Sequence, residues 1–296
     1  MSVTPPELQA PVKFEEILMR AWRLFRANPI TAFPVGALSA IALVVIVSVA
    51  ALLLAILVQL HPAAHAVPSQ GGDMPAWFVP LFFVAWLAMV VLGCAAQAWI
   101  YAVTYGLANA QWMTGSATLA DGWVAGRKRF GAVFVCGIGF AALAIAALIL
   151  ALPTLFVSFL GLILFTMYVL PAAVGGERSG FAAIRESFEL VRHAFGTSAI
   201  ALLILWAIQQ GISMVAIPFI LPLQFGFVLS AANNDQTPHV ELWQIAIAGG
   251  GYVVIIGASC AYLGYMAIVQ TGLYHALRAR AENASSPAAL VPVPQP

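Results

Sequence analysis

Residues able to do chemistry are few, and most lie inside apolar runs. Gln97, Tyr101, Thr104 and Tyr105 follow one another at spacings of 4, 3 and 1, which puts them on one face of a helix. Gln209, Gln210 and Ser213 sit in a later apolar run, and Ser259, Tyr262, Tyr265 and Gln270 in the last. Uncharged polar faces of this kind have two uses. They line a cavity between helices, or they hydrogen-bond helix to helix at about 0.6 kcal/mol per pair. Helix pairing is the commoner use. A cavity, if built, would be lined by Gln97, Tyr101, Gln209 and Tyr262.

Stronger chemistry lacks its signatures. His61, His65 and His239, with Asp73, Asp235 and Glu241, match no metal-ligand spacing, and a zinc site needs three or four such groups converging at about 2.0–2.2 Å. Neither Gly-x-Ser-x-Gly nor His-Glu-x-x-His occurs, which leaves no nucleophile elbow or zinc-protease helix. No ionisable residue is expected deep in an apolar span, where proton-coupled transporters place theirs. The expectation is a protein that is not an enzyme, with no cofactor and no metal.

Composition sets the medium. Hydrophobic residues make up 62% of the 296 and charged residues 8%, against about 25% charged in a soluble domain. The 12 Lys and Arg fall in four clusters: Lys13/Arg20/Arg23/Arg26, Arg127/Lys128/Arg129, Arg178/Arg185/Arg192 and Arg278/Arg280. Each stretch between clusters is long enough to cross a bilayer twice. Basic residues mark the cytoplasmic side, so each stretch goes out and returns. Six crossings with both termini in the cytoplasm follow, in a bacterial inner membrane. The Arg127–Arg129 run reads as a topogenic signal rather than a nucleic-acid patch. Cys94, Cys136 and Cys260 all fall in apolar spans and read as small hydrophobes.

The elements follow from periodicity. Residues 1–12 are expected to be a disordered tail. Phe14, Ile17, Leu18, Ala21, Trp22 and Phe25 repeat at helical spacing opposite Lys13, Glu15, Glu16, Arg20, Arg23 and Arg26, the pattern of an amphipathic helix at headgroup level. The first crossing lies in Ile30–Leu60, too long for the roughly 7–15 residues of a signal core, so it reads as a retained anchor despite Ala64-His65-Ala66. An outer loop, His61–Pro75, leads to a second crossing over Trp77–Asn109. Residues 111–130 return along the inner surface. The uncharged run 131–174 holds crossings three and four, with an outer turn at Leu152–Thr154 and an end near Leu170-Pro171.

A second amphipathic helix is expected over 181–195, with Phe181, Ile184, Phe188, Val191 and Phe195 on its apolar face and an Arg185–Glu189 pair at i,i+4. Crossing five lies in Thr197–Leu229, kinked by Pro218 and Pro222. The loop Ser230–Glu241 precedes crossing six, Trp243–Ala276. Residues 281–296 are expected to be a disordered tail.

An ungapped offset of 166 carries Arg26 to Arg192, Leu24 to Leu190, Trp77 to Trp243, Cys94 to Cys260, Gly106-Leu107 to Gly272-Leu273 and Ala110 to Ala276. Trp123 with Arg127 repeats the spacing of Trp22 with Arg26. The fold class expected is all-α: a polytopic membrane protein with six transmembrane helices in three pseudo-repeated hairpins, each preceded by an interfacial helix. The membrane domain spans 13–280, with units about 13–110, 117–174 and 180–276. Such parallel repeats are related by an axis along the membrane normal.

Leu170-Pro171, Glu177 and the run Phe181-Ala182-Ala183-Ile184-Arg185-Glu186-Ser187-Phe188-Glu189-Leu190-Val191, with the entry segment Ala21–Asn28, resemble a bacterial family. The chain is similar to the membrane domain found beside glycerophosphodiester phosphodiesterases, and to related six-helix inner-membrane proteins. The catalytic domain of fused members has no counterpart in these residues, so the resemblance implies a non-catalytic membrane module. Its expected partners are the bilayer and the anionic headgroups of the inner face, contacted by Arg20, Arg23, Arg26, Arg185 and Arg192, with a protein partner left open. The role expected is lipid- or envelope-related, or in assembly. The alternative is a passive transporter or channel for a small uncharged or amphiphilic solute.

Overall fold

The computed structural model describes residues 13–36, 78–151, 154, 157–232 and 242–285. Residues 1–12 and 286–296, most of the expected first crossing, the His61–Pro75 loop, residues 233–241 with Asp235, His239 and Glu241, and Trp77 lie outside the described residues. The first residues of the expected C-terminal tail, 281–285, are helical and continue the last helix, where Arg278 and Glu282 pair at i,i+4.

The described residues are helical, with no strand among them. Helix α1 is Phe14–Ala27 and is followed by a 3-10 turn, Pro29–Thr31. Helix α2 is Phe78–Thr114, α3 Leu119–Ala151, α4 Val157–Phe165 and α5 Val169–Val174. Helix α6 is Gly180–His193, α7 Phe195–Ala232 and α8 Leu242–Ser285. Five stretches among the described residues are long and apolar enough to cross a membrane: Val90–Thr114, Leu119–Leu150, Val157–Val174, Phe195–Val215 and Gly249–Asn283.

The 37 residues of α2 span about 55 Å at about 1.5 Å per residue, well beyond a hydrocarbon core of about 30 Å. The excess is where the packing is. The core gathers Ile17, Ala21, Tyr105, Trp112, Tyr168, Val191 and the segment from Ala267 to Leu277. Toward the other end, large apolar side chains such as Leu92, Ile149 and Val253 stand 70% exposed or more. Such surface is compatible with lipid, which solvates apolar side chains as well as protein does. At the packed end the helices bury their apolar faces against one another.

Two helix breaks differ from expectation. Helix α3 runs unbroken from Leu119 to Ala151, joining the expected inner segment to crossing three, because no proline interrupts it. Crossing four does not simply end at Pro171. It breaks at residues 166–168 and resumes as α5 with Pro171 inside. Proline has no N–H, and its ring would clash with the carbonyl four residues back, that of Met167. Ser187 of α6 repairs the break. Its hydroxyl accepts from Tyr168 N (3.1 Å) and donates to Phe165 O (2.7 Å). Pro218 and Pro222 are accommodated within α7, which remains continuous.

Two close approaches require glycine. A Cβ on Gly264 would lie 2.7 Å from the backbone nitrogen of Ala32, so α8 seats the chain leaving α1. A Cβ on Gly272 would overlap the Trp112 ring, which holds α2 against α8.

Candidate functional site

The four basic clusters, far apart in sequence, meet at one end of the bundle. Glu177, between α5 and α6, accepts from Lys128 Nζ at 2.7 Å and pairs with Arg129 of α3. Its backbone is left-handed, with φ of 55°, a strained region for a non-glycine residue. The two cations hold its carboxyl down at about 2. Glu186 of α6 takes Arg178 at 2.5 Å through Oε2 and faces Arg278 of α8 at 3.8 Å. Arg20 of α1 stacks over the Trp112 ring at 4.9 Å. Burial, with Arg23 nearby, lowers the affinity of Arg20 for its proton.

Glu186 is the hub of this end. The Tyr274 hydroxyl donates to its Oε1 at 2.9 Å. Arg278 donates through Nη1 to the Tyr274 oxygen and through Nε to Glu282, both at 2.9 Å. The side chains of Arg278 and Glu186 are 13% and 15% exposed, so this is a largely desolvated cluster in which each charge has a partner. It floors a cleft of about 380 Å³ between α6 and α8, lined in addition by Arg178, Arg185, Glu189, His193 and Glu282.

Below the hub, polar contacts tie α2 to α8. His275 Nε2 donates to Asn109 Oδ1 at 2.8 Å, and the Tyr105 hydroxyl donates to Gln270. Trp112 Nε1 donates to the Ile268 carbonyl at 2.7 Å. Gln111 Nε2 donates to Asn28 O at 2.6 Å, and Asn28 Nδ2 to Ala117 O at 2.8 Å. These last two fix the end of α1 to the α2–α3 turn. The rings of Trp22, Phe25 and Tyr265 stand 5.9–6.2 Å apart and close the α1–α8 seam.

Among the expected headgroup contacts, Arg23, Arg26 and Arg192 are exposed and form no ion pair among the described residues. Arg185 pairs with Glu189 at 2.9 Å and stays 83% exposed. Arg20 is turned inward onto Trp112.

The four expected cavity residues are dispersed in their bonding. Gln97 reaches the Tyr101 hydroxyl one turn on, at 3.1 Å. The Tyr262 hydroxyl donates to Leu205 O at 3.0 Å. Tyr101 and Tyr262 pack against the same core. Gln209 is half-buried, and its carbonyl accepts from Ser213 at 3.0 Å. Cys136 and Cys260 are buried and Cys94 is exposed, and none of the three forms a disulfide.

Sequence reasoning missed Glu186, Tyr274 and Arg278 as a unit. It also missed His275, which is 3% exposed at the end of an apolar span where no deep ionisable group was expected. One signal was available: Tyr274, Arg278 and Glu282 form an i, i+4, i+8 stripe on one helical face.

No protein-family model matches the chain, and neither a curated protein nor a solved structure matches it.

Proposed function

We propose that the protein is a non-enzymatic integral membrane module of the bacterial inner membrane, with a lipid-related, envelope or assembly role. It crosses six times, the first within Ile30–Leu60, with both termini in the cytoplasm. Its three hairpins descend from one duplicated unit. The observation that carries this reading is the meeting of the four basic clusters at one end of the bundle. Even pairs of crossings return the chain to the same side, and the positive-inside rule makes that side cytoplasmic.

Duplication draws support from α2 and α8. Asn109 and His275, separated by the repeat offset of 166, touch each other, as equivalent residues do when parallel helices pack in matched register. The exposed Arg23, Arg26, Arg185 and Arg192 face headgroups, with Arg20 anchoring α1 behind them. The likeness to the membrane domain beside glycerophosphodiester phosphodiesterases, carried by Leu170-Pro171 and the Phe181–Val191 run, fits the same module.

Each exposed Arg near an anionic surface contributes about 1 kcal/mol. R23Q/R26Q/R192Q should therefore weaken retention of anionic lipid by roughly 3 kcal/mol, about two orders of magnitude. Unchanged immobilisation of spin-labelled phosphatidylglycerol around a correctly inserted variant refutes the headgroup role.

Passive transport is the second reading. It draws on the broken crossing between α4 and α5, since broken helices build transporter sites. Ser187 occupies the backbone groups at that break, which favours the module. Solute-driven swelling of proteoliposomes above that of empty liposomes would reverse the preference.

A further inference from the structure

We propose that the cleft between α6 and the end of α8 binds the headgroup of a zwitterionic phospholipid. The phosphate lies on the guanidiniums of Arg178, Arg185 and Arg278, and the ammonium on Glu189.

Uncommitted donors point to the phosphate. Arg178 and Arg185 each spend only Nε on a carboxylate, Glu186 and Glu189 respectively. Arg278 spends Nε and Nη1. Both terminal nitrogens of Arg178 and of Arg185, and Nη2 of Arg278, have no partner among the described residues. These are the fork donors that match phosphate oxygens in pairs. The cleft volume of about 380 Å³ falls at the small end of ligand sites, about 300–1,000 Å³.

Charge balance points to the zwitterion. The lining holds Arg178, Arg185 and Arg278 against Glu186, Glu189 and Glu282. A purely anionic headgroup entering here meets carboxylates, and a simple cation meets guanidiniums. A phosphate joined to an ammonium by a short linker meets opposite charge at both ends. Glu189 is 57% exposed and uses only Oε1, which leaves Oε2 for the ammonium. The Arg185–Glu189 pair is an exposed i,i+4 pair, weak because water screens it, so a ligand shares it at little cost. Arg278 and Glu186 form a buried floor that needs no rearrangement.

Position points to a lipid rather than a free solute. Phe181 and Phe188 are exposed on α6, two turns apart on one face. Arg185, four residues after Phe181, borders both that face and the cleft. Acyl chains passing the two rings bring a headgroup to Arg185. This step rests on the proposed placement of the basic end at headgroup level; the cleft chemistry does not.

The test is native mass spectrometry of the full-length protein in micelles with equal phosphatidylethanolamine and phosphatidylglycerol. The expected result is one phosphatidylethanolamine retained over phosphatidylglycerol. Hydrogen bonds to charged groups are worth about 1.5–3 kcal/mol, so R178Q/R185Q lowers retention at least about tenfold. E189Q abolishes the preference between the two lipids. Because Glu189 is exposed, E189Q also serves if the double variant folds poorly. Equal retention of both lipids by the unaltered protein overturns the proposal, as does an unchanged preference in E189Q. Binding of soluble glycerophosphoethanolamine with no lipid retained overturns the lipid source. Membrane sidedness does not enter in micelles, so a failed cleft and a failed topology give separate results.

Discussion

Replacing Ser187 with Ala removes a hydroxyl that serves both sides of a helix break. Ser187 and Tyr168 are fully buried, and the Ser187 hydroxyl accepts from Tyr168 N while donating to Phe165 O. In S187A the Tyr168 N–H loses its acceptor at a fully buried position. An orphaned buried donor costs about 1–3 kcal/mol, and the freed Phe165 carbonyl adds less, because a carbonyl has a second lone pair. The expected loss is about 2–3 kcal/mol. At about 2–3 °C per kcal/mol for a chain of this size, melting should fall by roughly 4–9 °C. Tryptophan fluorescence in detergent follows it, with Ser158→Ala as control. Ser158 bonds to the Ala147 carbonyl at 3.0 Å, in a half-exposed position. A Tm for S187A within 1 °C of that control refutes the claim that Ser187 repairs the break.

Gly272→Val should drive its side chain into the Trp112 ring and part α2 from α8 at a cost above about 2 kcal/mol. Loss of a disulfide between engineered Asn109→Cys and His275→Cys in that background reads the separation. Glu186→Gln leaves the largely buried Arg278 with a weaker partner and should destabilise by roughly 1–3 kcal/mol. Adding Arg278→Met should recover part of the loss, and a double-mutant cycle with no coupling denies the hub. Glu177 has a folded pKa of about 2, below its ordinary 4.5. A depressed carboxyl contributes stability above its unfolded pKa and loses it as pH falls through the folded value. The contribution should fade between about pH 4.5 and 2. The pair is exposed, so it is worth at most about 1 kcal/mol. Glu177→Gln should be flat over that window relative to the unaltered protein.

The all-helical class and five long apolar helices were legible because the absence of charge from long runs is a property of composition. The inward face of α1 was legible too: Ile17 and Ala21 are buried as their spacing requires. Pro171 marked a disturbance, but its consequence fell upstream, at Met167, since a proline acts on the carbonyl four residues before it. Pairings such as Glu186 with Tyr274, 88 residues apart, leave no local trace. Each partner alone reads as an ordinary interfacial side chain. His275 escaped for the same reason. Its burial is made by Asn109 of another helix, while its own neighbours merely look like the end of a span.

The proposed topology puts all four basic clusters on one face of the bilayer. Single cysteines placed at Arg23, Arg127, Arg192 and Arg280, with Cys94, Cys136 and Cys260 changed to Ser, can be labelled with a membrane-impermeant maleimide in intact spheroplasts and in inverted vesicles. All four should label only in inverted vesicles. Labelling of any one from the outside of intact spheroplasts contradicts that topology.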